Sequence, residues 1–314
     1  MKVLLLGCSS IARRRVLPAL AAMGHERVDI ASVSTQATSL AGSPPFRLFR
    51  DYATALKRSD ADVVYVSLIN SLHAKWAAEA LRSGYHVVVD KPACLSYGEV
   101  ASLAELAARE RRCLAEALVY PHHPQMAVAL RLFEEAGTAP TRIVGTFSFP
   151  PLPPGDYRHR RDAGGGALWD LGPYAVSAGR IVFGVPPQDL IGRIAERRGD
   201  VDVAFAMLAG YTGGRDCIGL FGSSTGYVNR LEIMGPDLVV GIDRAFSPPK
   251  DIALELSVRR RDAQQRIHVP AADAFERFLG AYFDAVQNGR LDAFIAPMLA
   301  DADALRTLRH SSMA

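Results

Sequence analysis

The stretch that decides the fold lies near the amino terminus and reads Val3-Leu4-Leu5-Leu6-Gly7-Cys8-Ser9-Ser10-Ile11-Ala12. Its continuous apolar run predicts a strand buried on both faces, and Gly7 begins a tight turn. The residues from 11 to 23 then predict a helix. A strand, a turn and a helix start together make an anion site, because unbonded backbone N–H groups and the helix dipole point to one place.

The same alternation continues outward from this stretch. Strands are predicted at 28–34, 63–68, 86–89 and 113–119, and helices at 52–57, 73–83 and 97–111, which indicates a doubly wound parallel sheet. Beyond it, helices are predicted at 121–137, 274–287 and 298–308, and strands at 143–149, 201–208, 217–221, 230–234, 252–258 and 266–269. We therefore predict an α/β chain with an N-terminal Rossmann domain (1–118) and a C-terminal α+β domain (119–314) with a mostly antiparallel open sheet.

The turn after the first strand departs from the full dinucleotide fingerprint G-x-G-x-x-G/A. Ser9 replaces the second glycine, while Gly7 and Ala12 are retained. Ser9 still lets the backbone approach a pyrophosphate, and its hydroxyl is expected to hydrogen-bond to that group. The alternative is a plain strand–turn–helix that binds no dinucleotide. The predicted cofactor contacts of this turn are Gly7, Ser9, Ser10, Ile11 and Ala12.

The end of the second strand indicates which dinucleotide is preferred. An acidic residue there usually binds the ribose 2′-hydroxyl of NAD, but this strand ends Val33-Ser34-Thr35-Gln36. Ser34 and Thr35 are hydrogen-bond donors for a 2′-phosphate, and Arg13 on the first helix is a further candidate. We predict NADP(H), with NAD(H) as the alternative; Ser34 and Thr35 could otherwise simply end the strand.

Three further motifs complete a family resemblance. They are Leu68-Ile69-Asn70-Ser71-Leu72-His73, Asp90-Lys91-Pro92, and the segment from Gly164 to Tyr174 that reads GGGALWDLGPY. With the dinucleotide turn, they resemble the Gfo/Idh/MocA family of NAD(P)-dependent oxidoreductases. The family's E-K-P begins with Asp90 here, and Tyr174 replaces the final histidine of G-G-x-L-x-D-x-G-x-H. With a tyrosine at this position, the chain resembles the branch of the family that contains the NDP-hexose 3-ketoreductases.

The resemblance implies a fold, an assembly and cofactor contacts. It implies a Rossmann domain followed by a domain whose open sheet forms homodimers or homotetramers. It also places a lysine, here Lys91, near the nicotinamide. The further cofactor contacts it implies are Leu68, Asn70, His73, Asp90, Lys91 and Arg158.

The predicted catalytic residues are Lys91, Tyr174 and Asp170. A phenol titrates at about 10 and can donate a proton to a developing alkoxide, and a nearby ammonium group stabilises both anions. Asp170 precedes Tyr174 by four residues, so on one helix both would share a face. Each also has an ordinary structural explanation: a solvated lysine, a first-turn carboxylate and a core aromatic residue.

Substrate contacts are predicted around these groups. Arg158, in a basic cluster with Arg160 and Arg161, matches the diphosphate of a nucleotide sugar, although a solvated loop is an alternative. His122 and His123 either contact substrate or cap a helix. The predicted contacts are Lys91, His122, His123, Arg158, Asp170, Tyr174, Tyr227 and Asn229.

Composition sets outer limits on the function. The net charge is +3, from 36 Lys and Arg against 33 Asp and Glu, which favours neither nucleic acid nor an anionic membrane as partner. The four cysteines are scattered and predict no metal site. No stretch approaches the roughly 20 apolar residues of a spanning helix, and we predict a cytoplasmic protein.

The predicted reaction is hydride transfer to the carbonyl of a keto-sugar. The expected substrate is a nucleotide-linked 3-keto-deoxyhexose. The alternatives are a dehydrogenase of a free sugar, cyclitol or dihydrodiol, and a dinucleotide sensor without catalysis.

Overall fold

The computed structural model describes residues 1–25, 27–33 and 45–313. It divides into two compact units, Met1–Ala117 with Phe275–Leu299 and Leu118–Ala274 with Ala300–Ala314. The division at Ala117 lies next to the predicted boundary. Phe275–Leu299, however, was expected in the second domain and belongs to the first unit.

Within the described residues, the first unit contains a six-stranded parallel sheet of order β3-β2-β1-β4-β5-β6. The strands are β1 (Val3–Leu6), β2 (Val28–Ala31), β3 (Phe46–Phe49), β4 (Val63–Val66), β5 (His86–Val89) and β6 (Leu114–Glu116). The helices are α1 (Leu17–Ala22, preceded by a π-helical turn at Ala12–Val16), α2 (Tyr52–Arg58), α3 (His73–Arg82) and α4 (Tyr97–Glu110). The strand order reverses at β1 and β4, which is where such sheets bind ligands at their carboxyl edge.

A late segment of the chain completes this unit, which is why its extent differs from the prediction. The helix Ala274–Gln287, named α8, lies in sequence after most of the second unit. Its Tyr282 hydroxyl donates to the carbonyl oxygen of Cys113 at 3.0 Å. The guanidinium carbon of Arg15 lies over the Phe275 ring, 5.0 Å from its centroid. The prediction assigned residues 119–314 to one domain because they are consecutive, and the order of residues does not reveal that a late helix packs on an earlier domain.

The second unit contains, within the described residues, an eight-stranded sheet of order β14-β13-β12-β11-β7-β10-β9-β8. Its strands are β7 (Arg142–Ser148), β8 (Asp189–Arg198), β9 (Val201–Tyr211), β10 (Arg215–Gly222), β11 (Val228–Met234), β12 (Val239–Asp243), β13 (Leu254–Arg260) and β14 (Ala263–Val269). Only β7 and β10 pair in parallel; the other pairs are antiparallel. The predicted fold class is confirmed in both units.

Helices cover one face of this sheet. They are α5 (Pro124–Glu135), α6 (Ala167–Asp170), α7 (Gly172–Phe183) and α9 (Ile295–Met313), whose first residues lie in the first unit. In β9, Val203, Phe205 and Met207 are buried and alternate with less buried neighbours. A Cβ on Gly179 would lie 2.1 Å from the Tyr211 hydroxyl, so α7 approaches β9 closely because it carries glycine there.

The opposite face of the sheet carries an apolar row. Val144, Ile218, Leu208 and Ile191 are neighbours across β7, β10, β9 and β8, and Leu220 lies two residues along β10. All are exposed, Ile191 by 62%. We call these residues the open sheet face.

One predicted helix is two helices. Asp170 and Tyr174 were expected on a single helix, but α6 ends at Asp170 and α7 begins at Gly172. Pro173 has no N–H to bond to the carbonyl of Trp169, so the helix is interrupted and starts again with proline in its first turn. The prediction that Asp170 and Tyr174 share one helical face was wrong for this reason.

Candidate active site

The dinucleotide turn is shaped by close contact with the end of β4. Gly7 has φ +87°, and a Cβ there would lie 2.2 Å from the Ser67 carbonyl oxygen. Glycine is therefore needed both for its backbone conformation and for space. The helical segment after the turn begins with the Arg13 N–H donating to the Ser9 carbonyl oxygen at 3.1 Å.

A line of hydrogen bonds leads from this turn to the Asp90-Lys91-Pro92 motif. The Ser9 hydroxyl accepts the Ala12 N–H at 3.0 Å and lies 2.7 Å from the Ser67 hydroxyl. Ser67 donates to Asp90 Oδ2 at 2.6 Å, and the Tyr65 hydroxyl donates to Asp90 Oδ1 at 2.7 Å. Ser67 and Tyr65 were not among the predicted site residues, although each is a hydroxyl on or just after an apolar strand.

The segment around Lys91 is held on both sides. The Asp90 N–H donates to the Val66 carbonyl oxygen at 2.9 Å, and the Ala93 N–H donates to Glu116 Oε1 at 2.7 Å. Lys91 itself is half-buried. These bonds place Lys91 at the carboxyl end of β5, next to the strand where the sheet order reverses.

His73 links two of the predicted cofactor motifs. The ring is fully buried, with Nδ1 2.8 Å from the Pro92 carbonyl oxygen and Nε2 3.0 Å from the Leu68 carbonyl oxygen. It therefore ties the turn after β4 to the turn after β5. Asn70 is also buried in this region.

These residues fit a dinucleotide. Gly7, Ser9–Ala12, Leu68, Asn70, His73, Asp90 and Lys91 all follow the carboxyl ends of β1, β4 and β5, as the sequence predicted. The start of a helix directs backbone amides and the positive end of the helix dipole to one place, which suits a pyrophosphate. Ser34 and Thr35 lie outside the described residues.

In the second unit, Tyr174 stands in a frame of aromatic rings. Its ring centroid lies 5.5 Å from that of Phe147, 5.8 Å from Phe246 and 5.9 Å from Tyr120. The Tyr120 hydroxyl lies 3.0 Å from the Ser177 hydroxyl, which donates to the Tyr174 carbonyl oxygen at 3.3 Å. The frame fixes the ring of Tyr174, which is half-buried.

Asp170 pairs with Arg158. Arg158 Nε lies 3.0 Å from Asp170 Oδ2 as an ion pair, and Nη1 lies 3.3 Å from Asp156 Oδ1. Burial disfavours the charged guanidinium, but the charges of Asp170, Tyr157 and Asp156 outweigh it and raise the pKa of Arg158. Arg158 therefore pairs with two carboxylates in the described structure, and its predicted diphosphate contact remains a prediction.

Gly165 and Gly166, which precede α6, leave space for the Arg158 backbone and for a side chain of β9 that caps this helix. A Cβ on Gly165 would lie 2.4 Å from the Arg158 carbonyl oxygen, and one on Gly166 would lie 2.6 Å from Asp202 Oδ1. Asp202, on β9, accepts the Leu168 N–H at 2.6 Å. This carboxylate caps the helix that carries Asp170, and no local pattern in the sequence pointed to it.

The two adjacent histidines take different positions. His123 is fully buried, and its Nδ1 accepts the Gln125 N–H at 3.3 Å at the start of α5. That contact matches the capping alternative for His123. His122 is half-buried, and its burial lowers its pKa.

Asn229 ties two segments of the second unit together. Its amide donates to the Ser247 hydroxyl at 2.9 Å and to the Tyr227 hydroxyl at 3.3 Å, and its Oδ1 accepts the Phe246 N–H at 2.9 Å. The buried Gln125 amide donates to the Ala245 carbonyl oxygen at 3.1 Å. Asn229 thus positions Phe246 beside Tyr174, whereas Tyr227 is exposed. Substrate contact by either residue remains a prediction.

Two negative findings apply to the described residues only. Among them, no group of three or more His, Cys, Asp or Glu side chains is arranged to hold a metal ion. No helix in the described part of the chain is long and apolar enough to cross a membrane.

Comparisons with known proteins agree with this arrangement. Residues 1–118 match the model of the Gfo/Idh/MocA oxidoreductase family with an NAD-binding Rossmann fold, and residues 136–237 match that of the Gfo/Idh/MocA C-terminal domain. The dTDP-3,4-didehydro-2,6-dideoxy-α-D-glucose 3-reductase of Actinomadura kijaniata is 31% identical over 92% of this chain and 88% of the relative. The reductase of the same name from Streptomyces violaceoruber is 31% identical over 98% and 91%.

A solved structure is similar over nearly the whole chain. A 3-ketoreductase from Actinomadura kijaniata, in complex with NADP and TDP-benzene, superposes with a TM-score of 0.91 at 30% identity, covering 99% of this chain and 97% of that one. Sequence similarity, fold and both family models therefore agree. The chain belongs to the Gfo/Idh/MocA family of oxidoreductases.

Proposed function

We propose that this enzyme reduces the ketone of a nucleotide-linked 3-keto-deoxyhexose with NADPH. The observation that carries the proposal is the framed Tyr174, which occupies the position of the family's usual histidine in a chain similar throughout to dTDP-ketosugar 3-reductases. NADP is proposed as cofactor because the similar 3-ketoreductase was solved with it and because no acidic residue follows β2 at Val33-Ser34-Thr35-Gln36.

The proposed reaction consists of a hydride transfer to the carbonyl carbon and a proton transfer to the carbonyl oxygen. When bound, NADPH supplies the hydride to the carbonyl carbon. Tyr174 gives its hydroxyl proton to the carbonyl oxygen, which becomes the product hydroxyl, and the phenolate is then reprotonated from solvent. The Lys91 ammonium stabilises negative charge on the alkoxide and on the phenolate.

Asp170 is proposed to bind a substrate hydroxyl while it stays paired with Arg158. The ion pair at 3.0 Å holds the Arg158 guanidinium and the Asp170 carboxylate in fixed positions. A carboxylate has several lone pairs and can accept from a substrate hydroxyl while the ion pair with Arg158 is kept.

Steady-state assays test the proposal directly. We expect turnover of NADPH with a dTDP-linked 3-ketosugar, and no comparable oxidation of free sugars, cyclitols or dihydrodiols with NADP⁺. Tyr174→Phe should lower kcat by about 10²- to 10⁴-fold, the range for loss of a general acid. Lys91→Ala should lower it sharply as well. Both variants should bind NADPH nearly as wild type does.

Three results would contradict parts of this assignment. Free-sugar oxidation without any nucleotide-ketosugar turnover would favour the dehydrogenase alternative. Full activity in both variants would show that Tyr174 and Lys91 are not catalytic. NADPH binding with no turnover of either substrate class would favour a sensor.

We also propose that a second copy of the chain covers the open sheet face. The row of Val144, Ile218, Leu208 and Ile191 is contiguous and apolar, and such patches on otherwise polar surfaces usually mark association sites. A homodimer or homotetramer formed through this sheet would remove the row from water.

A further inference from the structure

The hydroxyl groups between the dinucleotide turn and Asp90 admit one arrangement of protons. The Asp90 carboxylate can only accept, so the single hydroxyl hydrogen of Ser67 points to Asp90 Oδ2, 2.6 Å away. Ser67 then has only its lone pairs to offer to Ser9. The hydrogen in the 2.7 Å contact between the two serines must come from Ser9.

Ser9 therefore has no hydroxyl hydrogen left for a phosphate. Its oxygen accepts the Ala12 N–H at 3.0 Å, and its hydrogen is directed to Ser67. The sequence suggested instead that the Ser9 hydroxyl binds the pyrophosphate. A phosphate at this turn would be bound by backbone amides and the helix start alone.

The last residue in this series of hydrogen bonds is Asp90, which directly precedes Lys91. Asp90 accepts from Ser67 on one oxygen and from the buried Tyr65 on the other, so its side chain has one orientation. The Asp90 N–H is bonded to Val66 and the Ala93 N–H to Glu116. Lys91 thus projects from a segment whose position depends on these bonds.

We propose that Ser9 and Ser67 are positioning residues that join the dinucleotide turn to the Lys91 segment. Ser9, which replaces the second glycine of the fingerprint, then forms side-chain hydrogen bonds that glycine could not form. Through Ser67 it sets the orientation of Asp90 and hence the place of the Lys91 ammonium. This inference rests on the proposed function for the role of Lys91, but the hydrogen-bonded line itself does not.

The kinetic test separates positioning from phosphate binding. Ser67→Ala removes a hydrogen bond to the charged Asp90, and Ser9→Ala removes the bond that orients Ser67. Each should lower kcat about tenfold, because a misplaced Lys91 ammonium group acts less well on the reacting atoms. The Kd for NADPH, measured by its fluorescence, should stay within about twofold of wild type. Ser9→Thr keeps the hydroxyl and should restore kcat. The double variant should be no worse than Ser67→Ala, because both residues belong to one line.

A matched control is available in the same unit. Ser59 donates to Asp29 Oδ2 at 2.7 Å, so Ser59→Ala removes the same type of bond away from the proposed site. It should leave kcat and NADPH affinity unchanged.

Hydrogen exchange gives a readout that needs no activity. In Ser9→Ala, the peptide covering residues 88–95 should exchange several-fold faster than in wild type, although it lies far from residue 9 in sequence. Ser59→Ala should not change it. An inactive wild type would refute the proposed function, while the exchange and affinity measurements would still test the hydroxyl line.

Other outcomes would overturn the inference. If Ser9→Ala weakened NADPH binding about tenfold and left kcat at saturating NADPH intact, Ser9 would be a phosphate ligand. Unchanged kcat and unchanged exchange in both single variants would show that the line positions nothing.

Discussion

Asp202 provides the sharpest test of how α6 is held in place. The cap residue Gly166 has no side chain to bond the first helical amides, and Asp202 supplies that bond from β9 through the Leu168 N–H at 2.6 Å. Asp202→Ala removes the cap and leaves the buried Leu168 N–H unsatisfied, and the loss of such a bond costs about 1–3 kcal/mol. We expect a loss near the upper end of this range, about 2–3 kcal/mol, from the stability of the second unit, because Leu168 is buried.

The expected signal is a lower unfolding temperature. For a unit of this size, about 1 kcal/mol corresponds to roughly 2–4 °C, so the midpoint should fall by about 4–12 °C. Trp169 lies in α6 and can report this transition by fluorescence when Trp76, in the first unit, is replaced by Phe. Asp200→Ala, at an exposed neighbouring position, is the matched control and should melt as wild type does.

Asp202→Asn separates the hydrogen bond from the charge. The amide oxygen can still accept the Leu168 N–H, so we expect stability within about 1 kcal/mol of wild type at neutral pH. Burial raises the pKa of Asp202, despite the opposing bond from Leu168. A raised pKa means that the folded state holds the proton more tightly, so this contribution to stability is present at acidic pH and is lost as the pH rises through the folded-state value.

The asparagine variant lacks that dependence. Its stability relative to wild type should therefore improve from about pH 4 towards neutrality. The reasoning would be refuted if Asp202→Ala melted within about 2 °C of wild type. It would also be refuted if Asp202→Asn were as unstable as the alanine variant.

Two further predictions concern the second unit. Arg180→Met leaves Asp301, which is 5% exposed and bonded through both oxygens at 2.6 Å, without its partner, so the unit should lose about 3–5 kcal/mol in the same melting experiment. A wild-type melting curve would contradict this. Leu220→Lys places a charge on the open sheet face and should reduce the proposed oligomer to smaller species in light scattering, whereas Ile252→Lys, exposed outside the sheet, should not. An unchanged mass would show that this face is not the contact.

Local sequence patterns predicted the elements correctly where a buried apolar run ends at a recognisable turn. The apolar runs of β1, β4 and β5 and the motifs at their carboxyl ends predicted the first sheet and the cluster of Gly7, His73 and Lys91. β3 was not predicted because its Phe46–Phe49 sequence alternates only partly. β8 and β12 were also absent from the prediction, since β8 carries many charges and β12 is short.

The remaining site contacts depend on tertiary structure. Ser67 and Asp202 act on residues far away in sequence, and no spacing rule connects either to its partner. Pro173 indicates the break between Asp170 and Tyr174, but the prediction relied only on their four-residue spacing, which assumes a continuous helix. Asn229 was selected as a substrate contact, whereas its described hydrogen bonds are within the protein.

The return of α8 to the first unit has a consequence for how the protein is made. The ribosome synthesises β1 to β6 early, but Tyr282, which bonds to Cys113 beside β6, follows the long segment Leu118–Ala274 of the second unit. The His25 and Phe283 rings, 5.4 Å apart, likewise join the early and the late segment of the first unit. The dinucleotide-binding unit therefore matures only after residues 118–274 have been synthesised. A chain that stops before residue 275 lacks the helix that completes it, so a prematurely terminated product should be recognised by proteases rather than accumulate as a folded fragment.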